Sequence, residues 1–188
     1  MKKTFLALGA LSIILLTGCS GTRWETVNQD KLGLSFEKPM PWDEGKVDAT
    51  IGYVDYVSEI QTGKMTGNLS INLINPSADE LFTLEKETEI MKNIFKDTKV
   101  KDLKFVSEKD VMMLGEKARE IVMTFLNPND ETITEKVVAT ITVKNNKSYR
   151  AILEEEEAEF NDNLPYYEKV RNSLRPLGSS APVEESKK

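Results

Sequence analysis

The chain predicts an α+β fold, a three-layer α/β/α sandwich around a central antiparallel sheet. Three observations point to it. First, residues 118–126 and 133–143 are apolar on both faces, with Ile121, Met123 and Phe125 alternating against Val122, Thr124 and Leu126. A strand apolar on two sides belongs inside a sheet covered above and below. Second, short polar loops at 127–131 and 145–147 lead on to Tyr149, Ala151 and Leu153, which makes three consecutive antiparallel neighbours. Third, two stretches, 81–96 and about 155–174, change to helical period.

Taken in order, Trp24-Glu25-Thr26-Val27 reads as a short strand and Asn28 to Lys31 as a turn. Leu32, Leu34 and Phe36 then share one face of a second strand, which Pro39 and Pro41 end because proline cannot donate to a ladder. Trp42 follows in an acidic loop. A long β-prone run, Val47 to Ile60, turns at residues 62–67 and returns through Leu69, Ile71 and Leu73, so 47–75 reads as a long hairpin. Leu84, Met91 and Phe95 mark the first helix, with either Ser77 or Thr83 as its cap. A strand at 100–106 and a turn at Gly115 lead into the meander. In the last helix Phe160, Leu164, Tyr167 and Leu174 are in register, and Pro165 predicts either a start near Asn163 or a bend. From Arg175 onward there is almost nothing to bury, and the segment reads as a disordered tail.

Composition excludes a good deal. The 188 residues contain no histidine, which removes Ser-His-Asp triads, Cys-His pairs, histidine general bases and most zinc and haem sites. The single cysteine, Cys19, leaves no disulfide to brace the domain. A net charge of −6 makes nucleic acid an unsuitable partner.

The start of the chain is the most specific stretch. Met1-Lys2-Lys3 precedes an apolar run from Phe5 to Leu16, too short for a stable bilayer anchor and typical of a secretory signal. It closes on Leu16-Thr17-Gly18-Cys19, which resembles the lipobox of bacterial lipoproteins. That resemblance implies that the Cys19 thiol receives a diacylglycerol, that cleavage occurs before Cys19 and that the new amine is acylated, with fatty acids such as palmitate. Loss of residues 1–18 would leave 170 residues, and with Lys2 and Lys3 gone the net charge would be −8. Two acyl chains with about 30 methylenes give an insertion energy on the order of 20 kcal/mol, so release would be negligible. Residues 20–23 reach roughly 14 Å at most, which holds the domain close to the lipid.

The organisation expected is a signal peptide at 1–18, a short tether at 19–23, one domain at 24–174 and a tail at 175–188. Within the domain, Leu32-Gly33-Leu34-Ser35-Phe36-Glu37-Lys38-Pro39 followed by Trp42, and a helix ending Val170-Arg171-Asn172-Ser173-Leu174, resemble the PsbP/Mog-like family, in particular its bacterial lipoproteins, including the DcrB-like group. The resemblance covers Trp24 to Leu174. It implies an antiparallel sheet with helices on both sides, and an accessory or binding role without catalysis or cofactor.

Several residue groups carry possible chemistry. Ser35 and Lys38 match a Ser-x-x-Lys spacing, but that pair shares a face only on a helix, and here it falls on a strand. Glu154 to Glu157, with Glu159 or Asp162, offers oxygens to a hard cation such as calcium, or forms the solvated first turn of the last helix. Asn127 to Glu131 has oxygen ligands that turn chemistry also explains. Trp24 and Trp42 are suited either to closing the core or to a binding or lipid-interface surface, and Met112-Met113 to a gap or an adaptable contact. The sequence therefore reads as a membrane-anchored, extracytoplasmic, non-enzymatic accessory subunit with an envelope protein partner. It would sit at the outer face of the cell membrane, or on the periplasmic side or at the outer membrane where there are two. The alternatives are a small-ligand or cation-binding protein and a carboxylate-dependent hydrolase.

Overall fold

The structure, a computed structural model, describes residues 22–40, 42–48, 53–60, 64–77 and 79–178. The signal segment, the lipobox residues Leu16, Thr17, Gly18 and Cys19, residues 61–63 and the segment from 179 onward lie outside the described residues.

Strands β1 (Trp24–Gln29) and β2 (Leu34–Pro39) pair antiparallel through a turn in which Gly33 takes a φ of 63°. After them come β3 (Trp42–Asp48), β4 (Tyr53–Ile60), β5 (Lys64–Ile74), helix α1 (Leu84–Asp97), β6 (Lys104–Met113), β7 (Glu116–Leu126), β8 (Thr134–Lys144), β9 (Lys147–Glu156), helix α2 (Phe160–Ser173) and β10 (Arg175–Pro176). The central sheet has seven strands in the order β3-β4-β5-β9-β8-β7-β6, every pair antiparallel, and β1, β2 and β10 form a small sheet of their own.

The two faces of the large sheet carry separate cores, as strands apolar on both sides require. On one face Ile121, Met123, Phe125, Val137, Ala139 and Ile141 pack under α1 through Met91. On the other, Leu69, Ile71, Val138, Ala151 and Leu153 pack with Phe160, Tyr167 and Val170 of α2 and with Leu34 and Phe36 of the small sheet. The layers are thus α1, the seven-stranded sheet, and α2 beside the three-stranded sheet.

Local chemistry sets the boundaries. Thr83 is the cap of α1, its Oγ1 accepting from the Lys86 backbone N–H at 3.2 Å, while Ser77 and Glu80 close the turn before it. In the β6–β7 hairpin Met113 pairs with Glu116, leaving Leu114 and Gly115 as a two-residue loop with φ of 56° and 76°, the type I′ geometry that matches strand twist. Asn145 and Asn146, with φ of 51° and 56°, do the same for β8–β9. Leu114 pays for its left-handed backbone by burying its side chain in the α2-side core, and its carbonyl accepts from Lys144 Nζ at 2.7 Å.

Several boundaries differ from the sequence expectation. Trp42 opens β3 instead of lying in a loop, and the run 47–60 is divided between β3 and β4. The strand expected at 100–106 begins at Lys104 and continues to Met113, while Val100 and Leu103 fill the α1-side core from the preceding turn. Helix α2 starts at Phe160, ahead of Asn163, with Pro165 in its second turn. Beyond Leu174 the backbone keeps pairing: Arg175 lies opposite Ser35 and Pro176 opposite Leu34, and the Leu177 N–H donates to the Gly33 carbonyl at 2.8 Å. Pairing to β2 thus replaces the looseness that composition suggested for 175–176.

Candidate functional site

Three groups of polar or aromatic residues stand out, and each was only partly visible in the sequence. The first lies where the chain enters the domain. Trp24 packs beside Tyr166 of α2, the rings tilted by 35° with centroids 6.0 Å apart, and Tyr166 in turn lies 6.3 Å from Trp42. Lys169 Nζ sits 3.9 Å from the centre of the Trp24 ring, a cation–π contact, and 3.3 Å from a Glu37 oxygen. Thr22 Oγ1 and the Tyr166 hydroxyl are 3.2 Å apart. Trp42 is buried in the core, as one reading of the sequence had it, whereas Trp24 is half-buried at its rim. Tyr166 and Lys169 share a helix face at i, i+3, but their meeting with Trp24 is a contact across more than 140 residues.

The second group is the acidic run. It is not the first turn of a helix: Glu154, Glu155 and Glu156 end strand β9, because continued pairing to β5 and β8 holds the backbone extended to Glu156. Strand alternation then separates the four carboxylates. Glu154 and Glu156 are exposed, while Glu155 turns under α2 and is 3% exposed. Asn163 Nδ2 donates to Glu155 Oε1, and Glu155 Oε2 has no partner among the described atoms. Burial pushes its carboxyl from 4.5 up to about 7; the Asn163 hydrogen bond opposes the shift, and Glu159, Asp162 and Glu135 reinforce it. Among the described residues no three Asp, Glu, Cys or His side chains are grouped to hold a metal ion.

The pH consequence follows from the sign. A folded-state pKa above the unfolded value means the native protein binds the extra proton, so this contribution is complete below about pH 4.5 and is lost as pH rises through about 7. Glu155→Gln keeps the carbonyl that accepts from Asn163 and removes the titration. It is expected to stabilise the protein by roughly 3 kcal/mol at pH 8 and by almost nothing at pH 4.5, read by urea unfolding at both values. An equal effect at the two pH values would contradict a buried, titrating Glu155.

The third group is a buried network beneath α2. Arg171 Nη1 donates to Glu120 Oε2, the Tyr167 hydroxyl donates to Thr140 Oγ1 at 2.7 Å, and Thr140 Oγ1 donates to Glu120 Oε2 at 3.4 Å. Lys109 Nζ reaches the other Glu120 oxygen at 2.8 Å. On the opposite face Arg150 Nη2 donates to buried Glu87 of α1 at 2.8 Å. These fully covered acids are therefore committed to arginine partners that fix each helix to the sheet.

The remaining candidates resolve into structure. Ser35 and Lys38 lie three apart on β2 and point to opposite sides, and Lys38 Nζ is held by Glu25 at 2.6 Å and by the Trp42 carbonyl. In the loop 127–131 Asn127 Oδ1 accepts from the backbone N–H of Asn129 at 2.7 Å and of Asp130 at 3.2 Å, and Asp130 Oδ1 accepts from Thr132, so turn chemistry uses those oxygens. Met113 is in the core while Met112 is 59% exposed beside a surface cleft of roughly 300 Å³ that Leu174 and Pro176 also line.

The chain matches no known family model and no curated protein. It is similar to solved structures. One is the solution structure of cyanobacterial PsbP (CyanoP) from Synechocystis sp. PCC 6803, at a TM-score of 0.59 and 16% identity over 84% of this chain and 94% of that one. Another is LpqN of Mycobacterium tuberculosis, a protein involved in cell envelope biogenesis, at a TM-score of 0.62 and 9% identity, covering 81% of this chain and 90% of that one. A third is the Ran-binding protein Mog1p of Saccharomyces cerevisiae, at a TM-score of 0.57 and 9% identity over 84% and 97%. At these identities the likeness is one of fold, and the α+β sandwich described above is a PsbP/Mog1-like fold.

Proposed function

We propose that this chain is a lipid-anchored extracytoplasmic protein acting as a non-enzymatic binding subunit of an envelope assembly. The observation that carries the reading is Leu16-Thr17-Gly18-Cys19 directly after a basic start and a short apolar run. The solved structures of similar fold support it, since they include an envelope-biogenesis protein and a Ran-binding protein. So does the pairing of the buried acids Glu87 and Glu120 with Arg150 and Arg171. The mechanism is confinement. A domain kept in a thin layer beside the bilayer meets membrane-bound partners at raised effective concentration without any new contact.

Cross-linking in native membranes followed by mass spectrometry tests this. One envelope protein is expected to be recovered repeatedly with the wild-type chain and at least tenfold less with a Cys19→Ala form expressed to the same level. Failure to recover any such protein, together with turnover of a small substrate by the purified chain, would overturn the proposal.

A further inference from the structure

The tether fixes the distance of the domain from lipid but not which face it turns towards the bilayer. The residues around the entry point supply that orientation. Thr22 is three residues beyond Cys19, a reach of about 10 Å, and its hydroxyl is tied to Tyr166 on the outer side of α2. Two amphipathic rings, Trp24 and Tyr166, are therefore in tilted contact and half-buried next to Thr22. Met40, 49% exposed, is the cross-strand neighbour of Arg23 at the same end of the domain, its backbone N–H donating to the Arg23 carbonyl at 2.8 Å.

The charges at this end are locally balanced: buried Lys38 pairs with Glu25 at 2.6 Å and Lys169 with Glu37 at 3.3 Å, with exposed Arg23 next to Trp24 in the chain. Tryptophan and tyrosine with flanking Lys or Arg suit the headgroup layer, where a ring buries its body and keeps its polar edge wet. On the far side of the central sheet the outer positions of α1 are mostly charged, Glu85, Lys86, Glu89 and Lys96, with Ile94 exposed among them and Leu81 exposed just ahead of the helix, and no tryptophan or tyrosine is there among the described residues.

We infer that the end of the domain carrying Trp24, Tyr166 and Lys169, with Arg23 and Met40 next to them in the chain pairing, rests on the phospholipid headgroups, leaving the α1 layer directed away from the bilayer. The inference rests on the reading of Cys19 as the anchor, and the test separates the two. The mature chain, residues 19–188, is coupled through its Cys19 thiol to a maleimide phospholipid in vesicles of phosphatidylethanolamine and phosphatidylglycerol. The domain is then anchored whatever a cell does to that cysteine. The photoreactive residue benzoylphenylalanine replaces Met40 in one form and Leu81 or Ile94, exposed residues of the α1 layer, in the controls. All three positions face solvent, so folding is preserved, and circular dichroism checks it.

Illumination is expected to give at least fivefold more lipid adduct from position 40 than from 81 or 94. Equal lipid adduct from the three positions, none from position 40, or adducts from position 40 to a second copy of the chain in place of lipid would each overturn the inference. Failure of the anchor reading would show elsewhere, as native protein without fatty modification.

Discussion

Replacing Cys19 with alanine, in a form whose residues 1–18 are still removed by an ordinary signal cleavage, is expected to move nearly all of the protein from the membrane fraction to the soluble fraction. The expectation follows from the proposed anchor: two acyl chains contribute on the order of 20 kcal/mol, and the charge of the mature chain gives no general attraction to anionic headgroups that would replace them. Membrane pelleting with a high-salt and a carbonate wash reads the result. A Cys19→Ala protein that stays with the membrane in the wild-type proportion would mean that something other than an acyl chain holds it there.

The second large effect concerns the domain itself. Glu120→Ala leaves the Arg171 guanidinium under α2 without a counterion, with Asn172 and the Tyr167 ring beside it, and deprives Thr140 of its acceptor. A buried charge that loses its counterion typically costs about 3–5 kcal/mol, a large share of the 5–15 kcal/mol that holds an ordinary domain together. The expected result is a marked fall in the urea midpoint and in Tm. A companion variant separates lost charge from lost volume: Glu120→Leu combined with Arg171→Met removes both ions and is expected to recover most of the loss. If the double variant proved as unstable as Glu120→Ala, shape and not the ion pair would be what matters beneath α2.

How much of this was legible in the sequence depends on where each residue sits. The central strands β7, β8 and β9 announced themselves because both faces are covered, so Ile121 and Val122 alike had to be apolar. Strand β6 is an edge with exposed side chains along most of its length, and Ser107-Glu108-Lys109-Asp110 therefore gave no alternation to read. The acidic run deceived for a related reason: composition suggested a helix start, whereas pairing to the two neighbouring strands kept it extended and turned Glu155 inward. The two-residue β10 exists only because β2 offers it a partner, which no local signal could disclose.

The candidate site divides in the same way. The Cys19 motif is contiguous and was readable at once. The face beside it needs Trp24, Tyr166 and Lys169 to meet from opposite ends of the chain, and only the packing of α2 against β2 brings them together. Glu87 was equally hidden, an acid on the buried face of α1 whose reason is Arg150 two strands and a hairpin away.

Everything proposed about location and role depends on the chemistry of a single amino terminus. Intact-mass spectrometry of the protein extracted from its native membranes, with sequencing of the terminal peptide, examines it directly. The expected finding is a chain that begins at Cys19, lacks residues 1–18 and carries fatty acyl groups on its first residue. A chain that begins elsewhere, or carries no lipid and dissolves in buffer without detergent, would contradict it.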